Sequence, residues 1–208
     1  MAYRRTEQAS KRLADKRARI LKAARDLVAE GGWSAAQVDH VAAKAGVATG
    51  TVYRYWPSKA ELCAEIVATV STREVGIVQA VAEADGTPVE KLAASIRAFA
   101  GRALRGRRLA YALIAEPVDP EVETVRLEYR QQLARCFERV LREGIMRGVF
   151  PRLDPAVAAA CIVGAFMEAL VGPLAPAKGT GPRADRHLVE QITQFCLRAS
   201  VGTAEGKP

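Results

Sequence analysis

The stretch Val38 to Lys59, V-D-H-V-A-A-K-A-G-V-A-T-G-T-V-Y-R-Y-W-P-S-K, decides how this chain is read. Val38, Val41, Ala42 and Ala45 recur at three and four residues, so Gln37–Ala45 is expected to be a short helix with one apolar face. Gly46 permits a tight turn that a bulkier side chain would strain. A second short helix, Ala48–Tyr55, follows, and Val47 and Val52 fix it against the first. Small residues at Ala42 and Ala45 let the two helices cross closely. By these physical criteria the segment is a helix-turn-helix. Its second helix exposes Thr49, Gly50, Thr51, Tyr53, Arg54 and Tyr55: hydroxyls, a guanidinium and bare backbone. Hydroxyls donate to phosphate oxygens, and arginine can pair two-pronged with a guanine edge. Lys59, in the first turn of the next helix, would hold a phosphate together with that helix N-terminus. Gln37 and Lys44 complete the expected DNA-facing set. Trp56 is expected in the core, docked on helix one beside Trp33.

Charge agrees with this reading independently. The 208 residues carry a formal net charge of +8. The first 60 hold 12 Lys or Arg against 5 Asp or Glu, and the remaining 148 hold 19 against 18. Nearly all the excess lies around the helix-turn-helix, which points to a polyanion, either nucleic acid or a membrane surface. Ahead of helix one, Arg4, Arg5, Lys11 and Arg12 form a basic arm. It is either a solubilising tail or an arm reaching the minor groove.

Outward from the motif every segment reads helical. Helix one is expected from about Ala14 to Glu30, ended by Gly31-Gly32. Pro57-Ser58 opens a long helix with an S-x-x-E capping box and the stripe Leu62, Ile66, Val70, Ile77, Val81, broken at Asp85-Gly86. Thr87-Pro88-Val89-Glu90 starts the next, to about Gly106. Others follow near Arg108–Ala115, from Asp119-Pro120 to Arg147, from Asp154-Pro155 to about Leu174, and over Asp185–Ser200. The fold class is therefore all-α, with about nine helices. A basic helix-turn-helix unit over 1–57 precedes a bundle over 58–208 for ligand binding and dimerisation.

The segment resembles the tetracycline-repressor (TetR/AcrR) family of regulators. The residues that carry the likeness are Gly32-Trp33, Val38, Val41-Ala42, Ala45-Gly46-Val47, Gly50-Thr51-Val52-Tyr53, Tyr55-Trp56-Pro57-Ser58-Lys59 and Glu61-Leu62. It spans roughly the first 65 residues; beyond them only helix number and layout agree. Two positions depart from the family's pattern, Ala36 and Ala48, where a hydroxyl usually caps each helix. Ser34-x-x-Gln37 and Thr49 are the expected substitutes. The resemblance implies a ligand-responsive repressor released from a palindromic operator by a small molecule, and a pocket enclosed by the middle helices. Candidate pocket residues are Phe99, Leu104, Tyr111, Leu113, Tyr129, Leu133 and Phe137, each of which is otherwise ordinary core. Arginines crowd these helices (Arg97, Arg102, Arg105, Arg107, Arg108, Arg126, Arg130), which favours an acyl or anionic effector over an aromatic cation. Glu168 would bind a cation, face a dimer seam or face solvent.

A helix-turn-helix of this type engages successive major-groove faces as a homodimer. The pairing surface is expected on the last two helices: Val157, Cys161, Gly164, Ala165 and Glu168 with Val189, Ile192, Phe195 and Cys196. Alternatively, both stripes bury within one subunit. Cys63, Cys136, Cys161 and Cys196 are too scattered for a C-x-x-C site, and reduced buried thiols are expected. A cysteine-based redox regulator and a basic membrane-surface protein are the alternatives. Neither metal nor cofactor is expected, nor is an enzyme: the sequence offers no phosphate loop and no nucleophile–base pair. No apolar run is expected to reach the roughly 20 residues of a membrane span, and the arm lacks a signal peptide's apolar region, so a cytoplasmic location is expected.

Overall fold

The structure, a computed structural model, describes residues 2–176 and 181–201, and side chains from Ser10 onward. Among these residues it is all-helical, with nine helices: α1 (Ala2–Gly31), α2 (Val38–Ala45), α3 (Thr49–Tyr55), α4 (Lys59–Glu83), α5 (Pro88–Arg105), α6 (Arg107–Ile114), α7 (Pro120–Met146), α8 (Pro155–Leu174) and α9 (Pro182–Val201). The all-α expectation holds. The largest difference is α1, which begins at Ala2 rather than near Ala14. The segment expected to be an arm is continuous with it. Gln8, Ala9 and Lys11 are good helix formers, and no breaker stands between them and Ala14. The side chains of Arg4 and Arg5 lie outside the described residues.

Punctuation chemistry places the other ends. The Ser58 hydroxyl accepts from the Glu61 backbone N–H at 3.1 Å. Thr87 and Glu90 close a complete capping box ahead of Pro88, and Asp154 accepts from the N–H groups of Ala156 and Val157. Each such cap contributes on the order of 1 kcal/mol. At the helix-turn-helix, Gly46 has φ +64°, and its N–H and that of Val47 close on Ala43 and Ala42 carbonyls. That left-handed position is what the turn needs from glycine. The expected capping substitutes do not form. Gln37 and Ala48 are the N-cap residues of α2 and α3, and neither side chain caps. Ser34 instead donates to the Gly31 carbonyl, and Gln37 Nε2 to that of Ser34.

Two hydrophobic cores share the molecule. One gathers Ile20, Ala24 and Val28 of α1, the apolar face of α2, Val52, Trp33 and Trp56, and the first half of α4 through Leu62, Cys63, Ile66 and Val67. It also takes in Ala112 of α6 and Val122 of α7, so the head's core continues well past residue 57. The other centres on Phe166, whose ring lies 5.0 Å from Phe99 and 5.6 Å from Phe137, with Val78 and Ala82 of α4, Leu92 and Ile96 of α5, and Ile192 and Cys196 of α9. Burial of each large side chain contributes roughly 1.5–3 kcal/mol. Arg102 grips Glu74 with two bonds of 2.6 and 2.7 Å, tying α5 to α4, and Arg97 holds Glu190 of α9.

One helix corrects the expectation about apolar length. The 20-residue α8 is long and apolar enough, by length and composition, to cross a membrane. Ala159, Ile162, Val163, Phe166, Leu170 and Leu174 pack inward, and its other face is small and exposed. Alanines, glycines and the single charge of Glu168 disguise the run in the sequence.

Gly46 and Gly76 separate backbone strain from crowding, because a methyl group would meet nothing within 4 Å at either. Gly76 lies inside α4 without a positive φ, so Gly76→Ala should stabilise by about 0.5–1 kcal/mol. Gly46→Ala should destabilise by about 1–2 kcal/mol through its φ alone. Urea denaturation of the two variants checks both signs.

Candidate DNA-reading head and effector cavity

Val52 is the one fully buried side chain of the short α3, which leaves most of its surface open. Thr49, Gly50, Tyr53 and Arg54 are exposed, Tyr53 at 48%. Thr51 is half-buried. Tyr55 turns partly inward: its ring lies 5.7 Å from that of Trp56, and its hydroxyl donates to the Leu13 carbonyl at 3.3 Å. It braces α3 against α1, which corrects the expectation of a freely DNA-facing phenol. Gln37 is exposed at the start of α2, Lys44 forms a 2.6 Å ion pair with Glu30, and Lys59 is half-buried in the first turn of α4. Lys44 therefore reaches a phosphate only by leaving its carboxylate. Trp56 is buried as expected, with Arg17 of α1 stacked 5.0 Å above its ring. Trp33 does something the sequence did not suggest. Its indole Nε1 donates to the Ala112 carbonyl of α6 at 2.8 Å, and Arg108 of α6 donates back to the Gly31 carbonyl at 2.7 Å.

A cavity of about 510 Å³ lies where the two cores separate, bounded by α1, α4, α5, α6, α7 and α8. Its position follows from α4. The inward row of that helix runs Cys63, Val67, Val70–Ser71, Glu74, Val78, Ala82 in steps of three and four. Its two ends belong to the two cores, while Val70, Ser71 and Glu74 line the cavity between them. Polar residues at inward positions are the signal in the sequence that marks this wall. Of the expected pocket residues, Phe99, Leu113, Tyr129 and Leu133 line the cavity. Leu104 and Phe137 are bundle core, and Tyr111 stacks on Arg108 away from the cavity, 5.9 Å from its guanidinium. The Tyr129 hydroxyl meets Thr72 of α4 at 2.8 Å. Sequence reasoning missed Arg25 and Asp26, which reach the wall from α1, and Met167 of α8.

Five arginines line this space, Arg25, Arg73, Arg102, Arg126 and Arg130, against two acids, Asp26 and Glu74. The acids are already engaged, Glu74 by Arg102 and Asp26 by Lys22 and Arg25. A positive excess in a partly apolar cavity favours an anion. Of the crowded arginines of the sequence, Arg97, Arg107 and Arg108 are ties to carboxylates, Arg102 and Arg126 line the cavity while paired with Glu74 and Glu123, and Arg130 lines it too. Glu168 does not reach it. That residue is exposed on a second groove of about 540 Å³ between α7 and α8.

On the outer face of α8 and α9, Val157 is 60% and Phe195 64% exposed, and Cys161, Gly164 and Glu168 are also open, with Ala165 and Val189 half-buried. Ile192 and Cys196 point the other way, into the chain's own core, so they leave the expected pairing set. Burial pushes the Cys63 and Cys196 thiols up to about 11, and raises that of Cys136. Only Cys161 is exposed. The three buried thiols are poorly placed to act as redox-sensing thiolates.

Comparison with known proteins agrees with this geometry. The model of bacterial regulatory proteins of the tetR family matches residues 20–66, and that of the tetracyclin repressor-like C-terminal domain matches residues 85–170. The HTH-type transcriptional repressor KstR of Mycolicibacterium smegmatis is 37% identical over 87 residues, 42% of this chain and 43% of that protein. The match thus spans less than half the length of this curated relative. A TetR/AcrR-family regulator from Thermobifida fusca superimposes with a TM-score of 0.69 at 25% identity, covering 93% of this chain and all of that one. FadR of Bacillus subtilis, solved with stearoyl-CoA, superimposes with a TM-score of 0.75 at 22% identity, over 86% and 96% of the two chains. The chain is a transcriptional regulator and belongs to the tetR family.

Proposed function

We propose that the chain represses transcription as a homodimer on a palindromic operator, and that a small acyl-type or anionic molecule in the cavity releases it. The observation that carries this reading is the place of the cavity. It lies between the two cores, on the one helix, α4, whose first turn abuts the reading head. Two further points support it. The KstR relatives are named repressors, and the B. subtilis FadR structure holds an acyl thioester. Residues 1–57 would read DNA and 58–208 would bind the effector and pair, with Gln37, Thr49, Gly50, Thr51, Tyr53, Arg54 and Lys59 at the nucleic acid. Lys44 and Tyr55 would join only after breaking their present bonds. Pairing would use the exposed face of α8 and α9 through Val157, Cys161, Gly164, Ala165, Glu168, Val189 and Phe195.

The mechanism is a population shift. An occupant acts only through its different affinity for the DNA-competent and DNA-incompetent spacings of the two heads. Filling the space behind Val70 and Glu74 biases α4, and with it the head it carries.

On duplexes selected by the protein from a randomised library, Arg54→Ala is expected to weaken binding about tenfold or more, with the melting temperature unchanged. The wild-type affinity should fall linearly with salt on a logarithmic scale, and anionic vesicles should not compete. Vesicle binding as tight as DNA binding would favour a membrane-surface protein. Saturating decanoyl-CoA that leaves operator affinity unchanged would sink the effector reading. Phe195→Glu on the α9 face should give a monomer by light scattering and lose operator affinity, because half-sites are no longer engaged together.

A further inference from the structure

Arg126 stands where the cavity, α6 and the reading head meet. It lines the cavity wall, yet its side chain is only 5% exposed. The two ends of its guanidinium are occupied: Nη1 donates to Glu123 at 3.0 Å, and Nη2 to the carbonyls of Glu116, at 2.8 Å, and Ala112. Its Nε–H is buried and has no acceptor. An unmade bond from a buried charged donor is costly and uncommon, and it marks a place that an acceptor would stabilise. Desolvation pulls the pKa of Arg126 below the ordinary arginine value, although Glu123 works against it. An added negative charge would relieve that penalty as well. The nearest carboxylate, Glu123, is 41% exposed and so offsets it only in part.

The second observation is the carbonyl that Arg126 holds. Ala112 accepts from Arg126 on one side and from the Trp33 indole, at 2.8 Å, on the other. Trp33 lies in the connection between α1 and α2, inside the head's core. One backbone oxygen thus joins the cavity wall to the reading head.

We propose that Arg126 anchors the effector's oxyanion through its Nε–H and, in turning to do so, loosens the Ala112 carbonyl that holds Trp33. This rests on the effector reading above and adds the atom that takes the charge and the bond that feels it. The ligand chemistry is an oxyanion on an otherwise apolar molecule; a free carboxylate and the phosphates of an acyl thioester are its two sources. The neighbouring Arg130 donates to the Ile114 carbonyl at 3.1 Å and lines the same wall, so it adds field without being the buried, unsatisfied donor.

The test is made on the full-length, 15N-labelled protein, following the Arg126 Nε–H and the two indole N–H resonances. Decanoate, decanoyl-CoA and the neutral decanol are titrated separately, with binding measured in parallel by calorimetry. The Arg126 and Trp33 signals are expected to move with one or both anions and not with decanol, while the Trp56 indole stays. Movement with decanoate identifies a carboxylate source, and movement with decanoyl-CoA alone identifies the thioester's phosphates. A bound anion that leaves Arg126 unmoved, one that moves Arg126 but not Trp33, or an equal response to decanol would overturn the proposal. Absence of binding by either anion would overturn it too. Arg126→Met should weaken binding of the active anion about tenfold or more and leave decanol unaffected. Should that variant not fold, the wild-type resonances decide. Anions that weaken operator binding with Arg126 silent would remove the anchor and leave the ligand-responsive repressor intact. Saturating anion that leaves operator affinity unchanged removes the effector reading itself.

Discussion

Helix α4 has to serve two hydrophobic cores at once, and most of the molecule's layout follows from that. At 25 residues it is roughly 37 Å long. Its first half buries Leu62, Cys63, Ile66 and Val67 under the head, and Val78 and Ala82 near its other end bury under the bundle. A helix cannot bend its inward row around a gap without a kink, and α4 contains no proline to make one. The stretch between the cores therefore spans open space. Ser71 and Glu74 are tolerated at inward positions because one wall of that space is polar and Arg102 meets Glu74. The cavity is thus a consequence of how one continuous helix is shared.

The head is not carried by α4 alone. Trp33 reaches out of the α1–α2 connection to an α6 carbonyl, and Arg108 of α6 reaches back to the Gly31 carbonyl. Ala112 and Val122 complete the head's core from the bundle side. A head packed on α7 as well and tied to both α4 and α6 is turned by relative motion between those two rather than by either one. The cavity has both helices on its wall. An occupant that spreads them by a small distance would rotate the head, since packed cores switch between arrangements more readily than they stretch.

Much of the fold was legible because each local rule agreed with its neighbours. Gly46, the Ser58 and Thr87 caps and the helices opened by Pro88, Pro120 and Pro155 fell where expected, while α9 starts at Pro182 rather than near Asp185. What escaped the sequence was tertiary. Nothing in a 3.6-residue period says whether Leu104 and Phe137 face a cavity or a core, since both positions require the same apolar residue. In the sequence Tyr55 reads as a groove residue because a phenol suits either a phosphate or a carbonyl; in this structure it takes the nearby Leu13 carbonyl. The contribution of α1 to the cavity, through Arg25 and Asp26, depends on how α1 crosses α6 and leaves no local mark. Beside the arginines of the middle helices, the polar break in the α4 row was a second cavity signal written in the sequence, and it lay within the stripe that placed the helix.

The face proposed for pairing and the cavity are closer than the division into a reading head and a bundle suggests. The groove between α7 and α8 shares Ile114, Arg130 and Met167 with the cavity, so a single layer of side chains separates the two spaces. Gly164 and Glu168, on the exposed side of α8, line that same groove. Small residues on a helix face let a second helix come close, and close helices register small displacements as steric contact. If two copies meet there, the seam between them rests against the far wall of the cavity. An occupant that moves Met167 or Arg130 then acts on the spacing of the two heads by two routes, along α4 within each chain and across α8 between them. The two effects add only if both favour the same spacing. Sequence changes on the outer face of α8 would then alter effector response as well as dimer strength.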